Sequence, residues 1–154
     1  MDETDIKLLK ILQEDGRITL SELSKKLALS RPSVTERLNR LKEKGIINKI
    51  SATVSPEKIG RNILLYIHVS ELSVSYSHFE KMTAEHPDIF ECHRLTGEMH
   101  YLLKAAVKDM DHLNKLIDYL IKFGIIHTSI VLKSPVSNKK ILPIDENSPW
   151  PFEE

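Results

Sequence analysis

The stretch Thr19–Ile47, TLSELSKKLALSRPSVTERLNRLKEKGII, decides how this chain of 154 residues is read. Thr19 and Glu22 have the T-x-x-E spacing of a capping box, in which each side chain satisfies a backbone N–H left free at a helix start. Leu20, Leu23 and Leu27 follow as the inward positions of a short helix. Leu27-Ala28-Leu29 supply a turn, and Ser30 caps the next helix. Pro32 falls in its first turn, where the missing N–H costs nothing, and Gly45 ends it. Two short helices across a tight turn, the second rich in arginine, form the layout of a helix-turn-helix, which places its second helix in the DNA major groove.

Within that second helix Val34, Leu38 and Leu41 recur at i, i+4 and i+7 and are expected to face a core. Pro32, Glu36, Asn39 and Arg40 then point outward, with Ser33 and Thr35 on the flanks and Arg31 and Arg37 nearer the buried stripe. Arg40 has the fork that fits guanine, Glu36 can accept from a cytosine amino group, and Asn39 can pair with adenine. Ser30, Lys25, Lys26 and Lys49 suit phosphates, which add affinity without sequence information. The plainer alternative is a solvated charged helix in which Arg37 is tied to an acid such as Asp15.

Outward from this stretch, Glu3–Glu14 reads as a first helix, with Ile6, Leu9 and Gln13 on one stripe and Leu8, Ile11 and Leu12 widening it. Residues 46–55 read as a small β-ribbon, the wing of a winged helix, and Pro56–Gly60 as the hinge. After Arg61 the apolar period changes from 3.6 to 2. Ile63, Leu65, Ile67 and Val69 mark a strand, and a helix follows over 76–86, stopped by Pro87. Two strands over 89–95 and 99–107 flank Thr96-Gly97-Glu98. A helix over 110–123 carries Leu113, Leu116, Ile117 and Leu120, and a last strand covers 125–133. The order βαββαβ is that of the ferredoxin-like fold, so the fold class is α+β. The expected organisation is a winged helix-turn-helix over 1–55, a hinge over 56–62, a ferredoxin-like domain over 63–137 and a tail over 138–154. Helices cover one face of such a sheet, and a second copy of the chain is the simplest cover for the other, which predicts a homodimer. Trp150 and Phe152 are odd residues for a free tail and leave docking onto a partner open.

Formal charge is zero, yet between Lys25 and Lys49 eight basic residues face only Glu36 and Glu43. A local positive face on a neutral chain suits a selective DNA reader. The lone Cys92 excludes an intrachain disulfide and suits a reducing compartment. The acidic start MDETDIKLLK is unlike a secretory signal, and no apolar run approaches the ~20 residues that span a bilayer. A cytoplasmic location is expected.

The phrases QEDGRITLSELSKKLALSRPSVTERLNRLKEKGII, VSPEKIG, HRLTGEMHYLLK and GIIHTSIVL resemble the leucine-responsive regulatory protein/AsnC family of prokaryotic transcriptional regulators, from Thr4 to Lys133. The resemblance implies a winged helix-turn-helix with a ferredoxin-like domain that dimerises, often assembles further into octamers, and binds an effector, usually an amino acid. It places the effector pocket at the turn around Gly97, Glu98, Met99, His100 and Tyr101 and at Thr128. Two positions depart from the family pattern: His100 stands where an aspartate is frequent, and Ile130 stands where a second hydroxyl residue is frequent.

Seven histidines raise an enzymatic alternative, since siroheme decarboxylase subunits look similar in architecture and depend on histidines. His68, His93, His100 and His127 lie on or beside strands. Against this, the sequence has no H-E-x-x-H, no paired cysteine ligands and no phosphate-binding loop. The expectation is a sequence-specific transcriptional regulator that is not an enzyme and needs no metal or cofactor.

Overall fold

The computed structural model describes residues 1–144; Trp150 and Phe152 lie outside the described residues. The chain divides into two compact units, Met1–Thr53 together with the C-terminal segment from Val136, and Val54–Pro135.

The first unit holds α1 (Glu3–Glu14), α2 (Leu20–Leu27) and α3 (Arg31–Glu43). Each start is fixed by a side-chain cap: Asp2 accepts from the Asp5 N–H, Thr19 exchanges bonds with Glu22, and Ser30 accepts from the Ser33 N–H. Each cap satisfies a backbone N–H that the helix start would otherwise leave without a partner. The turn between α2 and α3 passes through Ala28 in the left-handed region, φ +52°, and the Ser24 hydroxyl donates to the Leu29 carbonyl to hold it. Leu8, Leu9, Leu23, Val34 and Leu41 form the core of the unit. Of the expected inward residues, Leu20 is 40% exposed, Leu38 is half-buried, and Leu27 is half-buried but packed against the core.

The β-ribbon expected over residues 46–55 does not form a ladder. The Ile46 and Ile47 N–H groups both donate to the Leu41 carbonyl, closing the end of α3, and no strand follows before residue 63. The alternating IINKISATV pattern imitates a strand but contains no Asn-Gly or Gly-x pair to turn a hairpin. The hinge instead contains a short 3-10 turn, Glu57–Ile59, ended by Gly60 at φ +84°.

The second unit is β1 (Ile63–Ser70), α4 (Tyr76–Glu85), β2 (Ile89–Arg94), β3 (Tyr101–Val107), α5 (Met110–Leu120) and β4 (Ile125–Ile130). The sheet order is β2-β3-β1-β4, and every neighbouring pair is antiparallel. Period-2 alternation sends Leu65, Ile67, Val69, Tyr101, Leu103 and Ala105 to one face, where they pack with Phe79 of α4 and Leu113, Leu116 and Leu120 of α5. Cys92 packs against this core, and burial pushes its thiol pKa up.

The opposite face carries one row in register: His127 faces His68, His68 faces Leu102, and Leu102 faces His93. Tyr66, Leu64 and Lys104 continue it. Among the described residues nothing in the unit covers this face; Leu64, Tyr66, His68 and Leu102 are half-buried and Phe90 is exposed.

Candidate DNA interface and effector site

Of the residues read as DNA contacts, Lys25, Lys26, Ser30, Arg31, Glu36, Asn39 and Lys49 are exposed, while Ser33, Thr35, Arg37 and Arg40 are half-buried. The exposed edge of α3 therefore offers Glu36 and Asn39, neither of which has a side-chain hydrogen bond among the described residues. Arg31 reaches back to the Ser21 hydroxyl at 2.9 Å, which ties the start of α3 to α2. Ser33 bonds Ser30 side chain to side chain, and the Thr35 hydroxyl donates to the Arg31 carbonyl.

The two remaining arginines serve the fold. Arg37 Nη1 donates to Asp2 at 2.6 Å and to Asp5 at 2.7 Å. Arg40 Nη2 donates to both oxygens of Asp5 at 3.0 Å. Asp5 is only 3% exposed. Burial pushes its pKa up, but the Arg37 bond, the Asp2 backbone bond and Arg40 outweigh this and leave it below the usual carboxylate range. Asp2 is also lowered, chiefly by its bond to Arg37. The tie anticipated for Arg37 thus exists, but through the acids at the start of α1 rather than Asp15. With one nitrogen held by Asp5, the bidentate fork onto guanine expected of Arg40 requires that ion pair to open.

In the second unit the six residues assigned to an effector pocket divide into two groups. Gly97, at φ +98°, begins the turn into β3 with Glu98 exposed, Met99 and His100 half-buried and Tyr101 buried. Thr128 is on β4 opposite Ile67, and β1 lies between β4 and β3. One copy of the chain does not gather all six. At the turn, His100 Nδ1 is buried with no hydrogen-bond partner. Its ring stands edge-on to Tyr76 at 6.0 Å, and the Arg94 guanidinium lies 4.0 Å over that same Tyr76 ring. The Tyr101 hydroxyl donates to Glu80 at 2.6 Å; burial first, and then Glu80, push its pKa up to about 12.

Sequence reasoning missed the cluster at the opposite end of the sheet. Asp88, 6% exposed, accepts from Arg61 at 2.6 Å and bonds His112 Nε2 at 2.9 Å. Arg61 also donates to the Ala106 and Pro87 carbonyls. The residue that leaves the hinge is thereby clamped to the sheet. The sequence signal was an arginine directly after the hinge glycine.

His68 and His127 are paired across strands, but no group of three or more His, Cys, Asp or Glu side chains among the described residues could hold a metal ion. No helix among the described residues is long and apolar enough to cross a membrane.

Comparison with known proteins agrees with this geometry. A winged helix-turn-helix DNA-binding model matches residues 1–48, and the Lrp/AsnC ligand binding domain matches residues 64–141. The HTH-type transcriptional regulator FL11 of Pyrococcus furiosus is 35% identical over 136 residues, covering 86% of this chain and 90% of that protein. The transcriptional regulator AzlB of Bacillus subtilis is 37% identical over 153 residues, covering 95% and 97%. A transcriptional regulator from Neisseria meningitidis, solved as its complex with L-methionine, superposes with a TM-score of 0.84 at 33% identity, covering 92% of this chain and 96% of that one. These relatives are regulators, and none of them favours the decarboxylase alternative.

Proposed function

Because the chain belongs to the Lrp/AsnC family of transcriptional regulators, we propose that it docks α3 in a major groove as a homodimer and answers to an amino acid bound in its second unit. The observation that carries the DNA reading is the outer edge of α3. Glu36 and Asn39 are exposed and uncommitted there, while Arg37 and Arg40 brace the helix from behind. Asn39 and Glu36 read bases; Lys25, Lys26, Ser30, Arg31 and Lys49 meet phosphates, with Ser33 and Thr35 at the groove wall. Arg37 and Arg40 hold the reading head in shape, and Arg40 retains N–H groups for a phosphate.

Asn39→Ala is expected to cost about 1–3 kcal/mol on a specific site and to relax preference at one base pair. Lys26→Ala should weaken all sequences alike and flatten the salt dependence. Fluorescence anisotropy on the operator and on single-base variants separates the two. An Asn39→Ala loss that is equal on every duplex would reassign that residue to the backbone.

The open sheet face supports the homodimer: it is broad and partly apolar, and among the described residues nothing in its own unit covers it. Larger assemblies, up to an octamer, would be built from that dimer. A reader of chromosomal DNA of this kind works in the cytoplasm, with no catalytic step and no cofactor.

For the effector, the solved relative holding L-methionine supports an amino acid, and the free nitrogen of His100 supports the Gly97 turn as its place. A ligand there would supply the partner that this atom lacks. Glu98, Met99 and Tyr101 would frame it, and Thr128 would complete the site from β4 of a second copy. L-methionine, screened beside the other nineteen amino acids, should raise the melting temperature. The gain is about 2.7 kcal/mol at a hundredfold excess over Kd, and His100→Ala should abolish it. No shift with any of the twenty would remove the amino-acid effector.

A further inference from the structure

The C-terminal segment is tied to the DNA-binding unit by contacts too specific for a passing tail. The Gln13 amide grips Ile141 at both backbone groups: Nε2 donates to the Ile141 carbonyl at 2.9 Å, and Oε1 accepts from the Ile141 N–H at 2.9 Å. A neighbouring β-strand would satisfy that residue in the same way. Beside it, Lys140 pairs with Glu14, and this pairing holds the Glu14 carboxyl below its usual range. Ile141, Leu142 and Pro143 line an open cleft of about 1100 Å³ with Leu9, Leu12 and Ile50 of the same unit.

Upstream, the segment begins at the effector sheet. The Val131 N–H, just past β4, donates to the Leu64 carbonyl of β1 at 2.9 Å. Eight residues separate that anchor from Lys140. The two units are therefore joined by two covalent routes, the hinge that ends in the Arg61 clamp and this second strap.

The strap lands on an element that can pass on what it receives. It grips α1 at its C-terminal end, through Gln13 and Glu14. At its N-terminal end the same helix holds Arg37 and Arg40 of α3 through Asp2 and Asp5. A helix of this length is a stiff rod of roughly 17 Å at 1.5 Å per residue.

We propose that residues 131–144 form a transmission strap, running from β4 through the Gln13–Ile141 grip to α1, that couples the state of the effector sheet to the setting of the recognition helix. This rests on the reading above, in which α3 meets DNA and the second unit meets the effector. Coupling of this kind is reciprocal: whatever β4 does to DNA binding, DNA binding does to β4. That reciprocity makes the strap testable without knowing the effector.

The test is amide hydrogen exchange on the full-length chain, with and without saturating random-sequence duplex at low ionic strength, with DNA binding read by anisotropy in the same samples. In the wild type, DNA is expected to change exchange at Ile125–Val131 by about fivefold or more. In Gln13→Ala, and in a chain ending after Pro135, that response should fall below about twofold while DNA is still bound. Gln13 is exposed, so its loss spares the core. A β4 response that persists in both variants, or is missing from the wild type on saturating DNA, overturns the strap. A wild type that binds no duplex overturns the DNA reading, and the strap as a coupling device falls with it.

Discussion

Asp5→Asn is expected to lower the stability of the DNA-binding unit by about 2–4 kcal/mol, the largest loss from any single polar change there. The carboxylate is 3% exposed and holds Arg37 and Arg40 while also bonding within the capping box of α1. An amide of the same shape keeps one acceptor oxygen and loses the charge, so one guanidinium must turn to water. Both arginines are partly exposed and can do so, which keeps the cost below that of breaking a fully buried pair. In a unit of this size the loss shifts the melting temperature by roughly 10 °C or more, readable by thermal unfolding at neutral pH.

The sign of its pH dependence follows from the lowered pKa values of Asp2 and Asp5. Carboxylates whose folded pKa is depressed contribute stability that is present above the unfolded value of about 3.9 and is lost as pH falls through the folded value. The gap between wild type and Asp5→Asn should therefore be full near neutrality and close as the solution is acidified below about pH 4. DNA affinity gives the opposing outcome. If Asp5→Asn leaves the melting temperature alone and raises affinity for duplex, the arginines are held in reserve for DNA and the brace is incidental.

That brace shows where sequence reading stops. The caps at Thr19 and Ser30 were legible because cap and N–H lie three residues apart, and the strands were legible because alternation is local. The Asp5 cluster joins residues 32 and 35 positions apart, so no local pattern marks it. The Asp2-x-x-Asp5 spacing carries the local capping signal of α1, but nothing in it points to α3. Helical periodicity puts Arg40 outward, yet it cannot say that the arginine bends back onto the neighbouring helix and ends half-buried against Asp5. The residues 46–55 show the converse error: alternation predicts what a strand could bury, but not that a partner strand and a turn exist. Gln13 shares a stripe of α1 with Ile6 and Leu9, and its role depends on a segment 128 residues away.

Leu102→Glu is expected to have the largest effect on DNA binding, at a position in the ferredoxin-like unit. Leu102 sits in the middle of the open sheet face, with His68 on one side and His93 on the other in register. It is half-buried in a single copy, so a glutamate there can reach water and the unit keeps its fold. If two copies pair through this face, two carboxylates meet in a dry interface, each at a desolvation penalty of several kcal/mol, and the dimer separates. The consequence reaches DNA because a dimer presents two α3 helices. Once one half-site is bound, the second contact is intramolecular, which raises affinity by about 10²–10⁴-fold without any new interaction. Leu102→Glu should thus run as a monomer in light scattering and lose about a hundredfold or more on a duplex with two half-sites, while a duplex with one half-site binds as before. A monomer with undiminished two-site affinity would show that the pair of helices does not act together. A variant that stays dimeric would place the interface on another surface and leave the contacts of α3 untouched. The one-site duplex keeps these outcomes apart, because it reports the reading head alone.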